Sequence, residues 1–593
     1  MGHKLTELKV ENFKSVISEE FDLSEYTPLV GYNNAGKTNI LESIKWVLQK
    51  STLKLSDFNN PKNPIIVTAK IDGINEDLLE NLNQGHRNRI EPFLQDETIS
   101  IRRTQPTPTS TAGQIRLEVF NPQATEEEEE EWQPNPAGID NAIKALFPDP
   151  IHIGAMENSE EDVSKFKTST TIGKLLSEII GPIEEQYGDQ VRVALNGLKD
   201  ILDADGQHRA PELTEFDEQV NGKLDAFFPD INIKVHVPTP ELKEVFTKGT
   251  IKVYENQNQT GNDVSSLGHG AQRCIQMTLI RHLADLKLNA SEQTTTTLLL
   301  IDEPELYLHP QAIEILRESL KTLSNQGYQI IFSTHSPFMI TEKDVANTIL
   351  IRKNQLLGTY KRNSLKSAIP IVEQDAQHQL TLMFSLSNSS NILFSERVIL
   401  AEGKTENKLL PFLIKQISDR TLALNKCALV QQGGSGSTKK SMLVLNTMDL
   451  PCKAIVDLDY AFKHGVSDGF LQSDDVDILA CKAELALIAT PNGIVLDNGL
   501  PTNKNSSMSA ADAFALLAQR PNIQENIINI KTKLQAVNIW IWTKGTIEKH
   551  LNITGKTEQV WARFSNDIET NGIEATLYND HVEITECINW ILN

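Results

Sequence analysis

Apolar and polar residues alternate from Leu5 to Val16, which is typical of a half-buried β-strand. The next segment, residues 27–50, predicts a strand, a loop and an amphipathic helix. Residues 294–350 repeat the order strand, helix, strand, and residues 393–593 begin a new series of short buried strands and helices. The pattern therefore predicts an α/β architecture with parallel strands.

Three segments interrupt this pattern. Residues 104–113 are rich in Pro, Thr and Gly and predict the exposed tip of a hairpin. The acidic run Glu126–Glu131 is typical of a solvated loop. Residues 157–240 are polar with helical periodicity, and we interpret them as an inserted helical arm of the kind that carries dimer contacts.

Composition and charge narrow the class of protein. The chain has 593 residues, of which 39% are hydrophobic, so it can bury roughly three to five domain cores. The formal net charge of -23 excludes non-specific coating of nucleic acid. If the protein binds DNA, it must do so through a local basic groove or through bound metal ions.

The length of the apolar runs and the number of cysteines indicate the cellular compartment. No apolar run reaches the 18 residues of a membrane span, so we expect no membrane partner. The five cysteines are scattered and form no C-x-x-C pair, which indicates neither a disulfide framework nor a zinc knuckle. Both observations favour a cytoplasmic protein.

The first chemical motif is a phosphate-binding loop at Gly31–Thr38, which fits G-x-x-x-x-G-K-[ST]. In such a loop the backbone curls around phosphate oxygens, the lysine reaches the β- and γ-phosphates, and the hydroxyl ligates Mg²⁺. An apolar strand precedes the motif and a helix follows it, as this chemistry requires. We therefore predict ATP binding by the residues Asn33, Asn34, Gly36, Lys37, Thr38 and Asn39.

Two further elements lie at the ends of predicted buried strands. Asp302 and Glu303 follow the apolar run Leu298–Ile301, where an open α/β sheet places its chemistry. We assign Asp302 to Mg²⁺ and Glu303 to the polarisation of the attacking water. His335 follows the strand Gln329–Phe332 and resembles the switch histidine of ABC-type ATPases, which implies that it senses the γ-phosphate.

These motifs resemble those of ABC-type ATPases. Ser266, Gly268 and Gly270 stand in a loop similar to the signature motif, although Leu and His replace two of its usual residues. Residues 305–310 resemble the D-loop, and residues 8–15 resemble the start of SMC-like and RecF-like ATPases. The resemblance implies that the signature loop of one copy completes the pocket of another, so we expect at least a homodimer. The Q-loop is not placed, since residues 151–156 offer no glutamine.

The last third of the chain carries a second set of acidic residues. Glu402 ends one apolar strand, and Glu406 lies one helical turn further on. Asp457 and Asp459 end a second apolar strand and point to the same side, because side chains alternate along a strand. Oxygen ligands of this kind suit Mg²⁺ or Mn²⁺, with Ca²⁺ as an alternative, and not Zn²⁺.

A third strand, residues 539–542, delivers Lys544 and Glu548. We interpret Lys544 as the charge that stabilises a phosphate in the transition state, and Glu548 as a further metal ligand or a helix N-terminal carboxylate. The order E-G-x-x-E followed by D-x-D resembles the Toprim domain. That resemblance makes Glu406, Asp457 and Asp459 metal ligands, and Glu402 a ligand or general base.

An ABC-type ATPase with a helical insertion, followed by a Rossmann-like Toprim domain, resembles the OLD (overcoming lysogenization defect) nucleases. The resemblance implies an ATP-binding, Mg²⁺-dependent DNA endonuclease that defends against phage, in which the ATPase gates DNA access or assembly. It also implies a partner in some relatives, either a helicase or a retron reverse transcriptase with its RNA–DNA element. The predicted boundaries are 1–156 and 241–392 for the ATPase, 157–240 for the insertion and 393–593 for the Toprim domain.

Two other interpretations stay open. The protein could be an ATP-driven DNA clamp or scaffold with an inactive Toprim site, although the complete carboxylate set argues against decay. A topoisomerase would need a strand-passage tyrosine domain, and a primase would normally bring a zinc ribbon, for which the chain has no cysteine pairs.

Overall fold

The computed structural model describes residues 2–124, 131–147, 150–154, 171–228, 230–237, 251–254, 261–289, 296–368 and 389–593. Most of the acidic run Glu126–Glu131 and the start of the predicted helical insertion, residues 157–170, lie outside the described residues. No helix among the described residues is long and apolar enough to cross a membrane.

The chain divides into two compact units, and each is built from several segments. The first unit comprises Met1–Leu29, Gly36–Met339 and Lys353–Tyr360. The second unit comprises Val30–Ala35, Ile340–Arg352 and Lys361–Asn593.

A large mixed sheet dominates the first part of the chain. Its strands are β1 (Lys4–Phe13), β2 (Val16–Asp22), β3 (Tyr26–Val30), β4 (Ile65–Asp72), β5 (Ile99–Gln105), β6 (Arg116–Phe120), β7 (Trp132–Pro134), β8 (Ile151–Ile153), β11 (Thr297–Ile301), β12 (Tyr328–Thr334), β13 (Ile349–Asn354) and β14 (Gly358–Lys361). Strands β9 (Lys252–Val253) and β10 (Asn262–Asp263) form a small separate hairpin. The strand order in the large sheet is β7-β6-β5-β4-β1-β2-β14-β13-β3-β12-β11-β8.

This sheet has an antiparallel part and a parallel part. Strands β1, β2, β4, β5, β6 and β7 pair antiparallel, and β5 with β6 forms the hairpin whose tip was predicted at residues 104–113. Strands β12, β11 and β8 pair in parallel. All five residues of β11 are buried, as expected for a strand covered on both faces. The carboxyl ends of β11 and β12 therefore bring Asp302 and His335 to one edge of the sheet.

Helices connect and cover this sheet. They are α1 (Lys37–Leu48), α2 (Glu76–Asn81), α3 (Gln84–Ile90), α4 (Ile139–Leu146), α5 (Thr171–Leu202), α6 (Pro211–Leu224), α7 (His269–Asn289) and α8 (Pro310–Ser324). Helix α5 has 32 residues and, with α6, supplies the helical character predicted for the insertion.

The second unit contains a four-stranded parallel sheet in the order β16-β15-β17-β20. Its strands and an accessory hairpin, β18 with β19, are β15 (Arg397–Ala401), β16 (Cys427–Gln431), β17 (Cys452–Val456), β18 (Val495–Asp497), β19 (Leu500–Thr502) and β20 (Ile539–Ile541). The helices from residue 365 onward are α9 (Leu365–Ala368), α10 (Ser389–Leu393), α11 (Lys404–Ser418), α12 (Thr438–Thr447), α13 (Asp459–Lys463), α14 (Val476–Ala489), α15 (Ala510–Leu517), α16 (Gln524–Gln535), α17 (Ile547–Leu551), α18 (Glu558–Asn571), α19 (Ile573–Leu577) and α20 (His581–Leu592).

Both faces of this smaller sheet are packed. Ile399, Ile455 and Trp540 belong to one hydrophobic cluster, and their strand neighbours Leu400 and Val456 belong to another. Because side chains alternate along a strand, each cluster covers one face. A sheet buried on both faces exposes its strand ends, and the acidic residues lie at the carboxyl ends of β15 and β17.

Candidate active sites

The loop that precedes α1 forms the candidate phosphate site. Gly36 caps the helix with a φ of 105°, in the left-handed region that favours glycine. A Cβ at Gly36 would lie 2.2 Å from Thr359 Oγ1, so no side chain fits there. Asn33 and Asn34 are exposed. A glycine-containing loop that closes onto a helix N-terminus is the arrangement that binds phosphate.

The side chains at the strand ends meet around this loop. Thr38 Oγ1 donates to Asp302 Oδ2 at 2.8 Å, so the two residues assigned to Mg²⁺ are adjacent. Lys37 Nζ lies 2.7 Å from His335 Nε2, and this nitrogen lies 3.2 Å from Glu303 Oε1. The structure therefore brings together three segments that are far apart in the chain, at residues 37–38, 302–303 and 335.

Glu303 is held in its charged form. The contact with His335 is the largest influence and lowers the pKa of this carboxyl, with Lys37 and Arg273 adding to the effect against partial burial. A carboxylate that is ionised at neutral pH can accept a hydrogen bond from an attacking water. Asn39, which was also predicted to bind ATP, donates from its Nδ2 to Ser15 Oγ at 2.6 Å.

The loop that resembles a signature motif precedes α7. Ser266 and Gly268 are exposed, and a Cβ at Gly268 would meet nothing within 4 Å. Gly270 is tightly placed, because a Cβ there would lie 2.8 Å from the carbonyl oxygen of Tyr307. The ring of His269 also stacks on Tyr307 with centroids 5.2 Å apart. The loop is therefore open at its tip and fixed at its base by the segment that resembles a D-loop.

Arg273, in the second turn of α7, is a functional residue that the sequence reasoning missed. Its guanidinium is buried and donates to the carbonyl oxygens of Asp302 at 2.9 Å and Glu303 at 3.1 Å. It also donates to the carbonyl oxygen of Gly154 at 3.1 Å. Arg273 thus ties α7 to the backbone of Asp302 and Glu303, the two carboxylate residues predicted for the nucleotide site.

Glu305 is a second residue of this kind. It is 9% exposed, and its Oε1 accepts hydrogen bonds from Thr334 Oγ1 at 2.7 Å and from the backbone N–H of His335 at 2.7 Å. The N–H of Ser336 donates to the same oxygen at 3.1 Å. Glu305 therefore fixes the loop that presents His335. Glu305 begins the segment that resembles a D-loop, but neither its role nor that of Arg273 is visible in a local pattern, because both contact backbone atoms distant in the chain.

The second candidate site lies at the carboxyl edge of the parallel sheet in the second unit. Glu402 follows β15 and its Oε2 accepts the backbone N–H of Asp457 at 2.9 Å, which joins the ends of β15 and β17. Glu406 is 3% exposed in the first turn of α11. Glu548 Oε1 accepts from Thr405 Oγ1 at 2.5 Å, which brings the start of α17 to the same place.

The pKa values show that these carboxylates are close enough to repel one another electrostatically. Burial raises the pKa of Glu406 to about 7, with Glu548 and Glu402 adding repulsion. Burial and then Glu402 and Glu406 raise the pKa of Asp457 well above its ordinary value. Burial is also the main cause of the raised pKa of Glu402. Such a cluster is stabilised by a cation.

The donor set fits a divalent metal in one further respect. Asp459 Oδ1 is buried and accepts no hydrogen bond, which leaves an oxygen available for a ligand. Among the described residues, however, no group of three or more acidic, histidine or cysteine side chains is already arranged to hold an ion. The carboxylates are therefore close enough to repel one another but must shift to become ligands together.

Three lysines lie near this edge of the sheet. Lys463 Nζ lies 2.6 Å from Asp459 Oδ2, and Lys556 Nζ lies 3.2 Å from Glu548 Oε1. Lys544, the predicted catalytic lysine, forms an ion pair with Asp580 instead. The structure therefore places a lysine that sequence reasoning did not name, Lys556, directly on the carboxylate cluster.

Two models of known protein families match this chain. Residues 4–340 match the model of the AAA ATPase domain. Residues 393–459 match the model of the overcoming lysogenization defect protein-like TOPRIM domain. The second match contains Glu402, Glu406, Asp457 and Asp459 and ends before Lys544 and Glu548.

Three relatives share most or all of their length with this chain. The Old nuclease of Escherichia phage P2 is 36% identical over 602 residues, with all of both chains covered. The OLD nuclease of Thermus scotoductus is 24% identical and covers 77% of this chain and 82% of its own. The endonuclease GajA of Bacillus cereus is 24% identical and covers 73% of this chain and 71% of its own. The chain belongs to the OLD nuclease family, with an AAA ATPase domain followed by an OLD-like Toprim domain, as the sequence predicted.

Proposed function

We propose that this protein is a DNA endonuclease that depends on a divalent metal, Mg²⁺ or Mn²⁺, at the Toprim carboxylates. The observation that carries the proposal is the carboxylate cluster itself, in which Glu406 and Asp457 have raised pKa values and Asp459 Oδ1 accepts no hydrogen bond. Oxygen donors that repel one another at a strand edge are the donor set of a hard divalent cation. When bound, that cation supplies a Lewis acid and an activated water.

The chain's own residues take separate roles in this proposal. Glu406, Asp457, Asp459 and Glu548 hold the metal. Glu402 is a ligand or the base that accepts a proton from water, a role that suits a carboxyl whose pKa is raised by burial. The side chain of Lys544 is half-exposed, and its ammonium can leave Asp580 to neutralise charge on the phosphate. Phosphodiester hydrolysis is already downhill, so ATP is not needed to drive it.

We propose that the ATPase instead gates DNA access or assembly. Lys37 and Thr38 bind the ATP phosphates and Mg²⁺, Asp302 completes the metal site, and Glu303 orients water under the control of His335. Two observations support this assignment: Thr38 and Asp302 are in direct contact, and His335 contacts both Lys37 and Glu303. The open tip at Ser266 and Gly268 is available to a second copy of the chain, which supports a homodimer or larger assembly.

The test of the nuclease is cleavage of supercoiled plasmid by the full chain with Mg²⁺ or Mn²⁺, with and without ATP. We expect metal-dependent nicking or cleavage that is lost in Glu402→Ala. Glu558→Gln is the matched control, because this exposed carboxylate pairs with Lys408 outside the cluster. Lys37→Ala then shows whether ATP activates or inhibits. ATP hydrolysis without cleavage under any of these conditions would favour an ATP-driven scaffold.

Assembly and biological role need separate tests. Light scattering of Glu303→Gln with ATP should show a dimer that Lys37→Ala does not form. We also propose a role in defence against phage, which predicts fewer plaques on cells that express the wild type than on cells that express Glu402→Ala. Equal plaque counts would contradict that role while leaving the nuclease assignment intact.

A further inference from the structure

Lys556 reaches the carboxylate cluster from outside any helix. It lies in the loop between α17 and α18, directly after Gly555, whose φ of 97° gives the loop a sharp turn. Its Nζ lies 3.2 Å from Glu548 Oε1; the Lys556 side chain is 58% exposed and the Glu548 side chain 9%. A half-exposed ammonium therefore pairs with a buried carboxylate that belongs to the proposed metal site.

The charge of Lys556 acts on more than this one partner. Partial burial lowers the pKa of Lys556, but Glu548, Asp457 and Glu406 outweigh it and raise the pKa above its ordinary value. The same ammonium contributes to the lowered pKa of Glu548 and opposes the rise in pKa that burial causes at Glu402 and Glu406. Lys556 is thus a counter-ion for several carboxylates of the cluster, beside Lys463, which pairs with Asp459.

Lys544 differs from Lys556 in its surroundings. Its ammonium pairs with Asp580, and its backbone N–H donates to Nε2 of the buried His550 at 3.1 Å. The next residue is also anchored, because the carbonyl oxygen of Gly545 accepts the N–H of Leu458 at 2.8 Å. Lys544 is therefore held by its own partners, whereas Lys556 is held by the proposed metal ligands.

We propose that Lys556 and the divalent metal compete for the same carboxylates, so that Lys556 sets the metal concentration at which the Toprim site becomes active. This inference rests on the proposed metal-dependent nuclease. A metal ion bound at Glu548 Oε1 and the ammonium that contacts this oxygen repel each other, so metal binding favours release of the ammonium. The exposed, flexible lysine stem allows that movement at little cost. Lys556 is a positioning residue in this scheme.

The competition can be measured without any catalytic assay. Mn²⁺ binding to the full chain, without nucleotide, is followed by calorimetry or by the electron paramagnetic resonance of free Mn²⁺. We expect Lys556→Met to lower the Kd for Mn²⁺ by about fivefold or more, because a competing charge is removed. Lys556→Arg keeps the charge and should bind Mn²⁺ like the wild type. The Mn²⁺ concentration for half-maximal plasmid cleavage should fall with the Kd in Lys556→Met.

Lys549→Met is the matched control. Lys549 also pairs with a carboxylate at 3.2 Å and is 46% exposed, but its partner is Asp512, outside the cluster. This variant should change the Kd by less than about twofold. An unchanged or higher Kd in Lys556→Met, with normal binding by the wild type, would overturn the competition alone. Absence of Mn²⁺ binding and cleavage in the wild type would overturn the proposed function, and the competition with it.

Discussion

Glu303 and Glu402 occupy equivalent positions in two different sites, and their environments are opposite. Each follows a buried strand of a parallel sheet, where its carboxylate meets side chains from neighbouring strand ends. His335 lowers the pKa of Glu303, whereas burial raises the pKa of Glu402. In the candidate nucleotide site the neighbours of Glu303 are cationic groups, which suit a phosphate ligand. In the candidate Toprim site the neighbours of Glu402 are other carboxylates, which suit a cation.

The comparison shows that a position at a strand end does not by itself decide whether the pKa of a carboxyl is raised or lowered. In the nucleotide site each carboxylate already has defined partners, such as Thr38 for Asp302. In the candidate Toprim site Glu406 and Asp457 repel each other, and this repulsion lowers the stability of the folded chain. The first site pairs its carboxylates with hydroxyl and cationic groups, whereas the second places several carboxylates close enough to raise one another's pKa values. Four experiments test this difference.

The largest expected effect is a clean separation of the two activities. Asp457→Asn should lower plasmid cleavage by at least about a thousandfold, because it removes a charged ligand of the cation. ATP hydrolysis should stay within about twofold of the wild type. Glu303→Gln should lower ATP hydrolysis in a hydrolysis assay and leave Mn²⁺ binding unchanged. Loss of Mn²⁺ binding in Glu303→Gln would show that the two sites are not separate.

The next effect concerns how firmly the nucleotide site is arranged. Arg273→Met removes the donors to the carbonyl oxygens of Asp302 and Glu303, which would be left buried without partners. We expect the free energy of unfolding to fall by about 3 kcal/mol and ATP hydrolysis to fall more than tenfold. Thermal unfolding and a hydrolysis assay measure the two quantities. Arg192→Lys, at an exposed position in α5, is the control and should change neither.

The third test concerns the cost of the Toprim cluster. The pKa of Glu406 is raised to about 7 in the folded chain, above its value in the unfolded chain. This carboxyl therefore contributes its full stability below the pKa of the unfolded chain, and the contribution is lost as the pH rises through 7. With EDTA at pH 8, Glu406→Gln should therefore be more stable than the wild type by about 3 kcal/mol. The difference should shrink towards pH 5. Equal melting temperatures at pH 8 would contradict the raised pKa.

The smallest effect is expected at Glu305. A single oxygen of this carboxylate accepts all three hydrogen bonds from residues 334–336. Glu305→Gln keeps that oxygen, so ATP hydrolysis should change by less than about threefold. Glu305→Ala removes it, and we expect a loss of about tenfold or more because His335 is no longer held. A large loss in Glu305→Gln would mean that the charge, and not the geometry, is required.

The sequence predicted most of the fold and the strand-end residues for a clear physical reason. Polar groups that follow an apolar run, as at Asp302, Glu402 and Asp457, are visible in the chain because the run itself marks the buried strand. The helix after the signature loop extends over His269–Asn289 and therefore begins inside the segment that resembles the motif. Helix ends depend on capping by neighbours, which periodicity does not reveal.

The residues that sequence reasoning missed act through contacts with no local signal. Arg273 and Glu305 serve backbone atoms about thirty residues away, and Lys556 follows a turn in an irregular loop. Lys544 was predicted at a strand end and lies there, but its ion pair with Asp580 depends on the last helices of the chain. The roles of all predicted site residues, and the domain boundaries, stay predictions.

The order of strands in the smaller sheet has a consequence for protein synthesis. Strand β17 ends at Val456, but its neighbour β20 comes only at Ile539–Ile541, followed by Glu548 and Lys556. A growing chain therefore displays its ATPase motifs and four of the five carboxylates while the sheet still lacks its last strand. A nascent chain, or one truncated before Ile539, lacks both β20 and Glu548, so it cannot assemble the complete cluster.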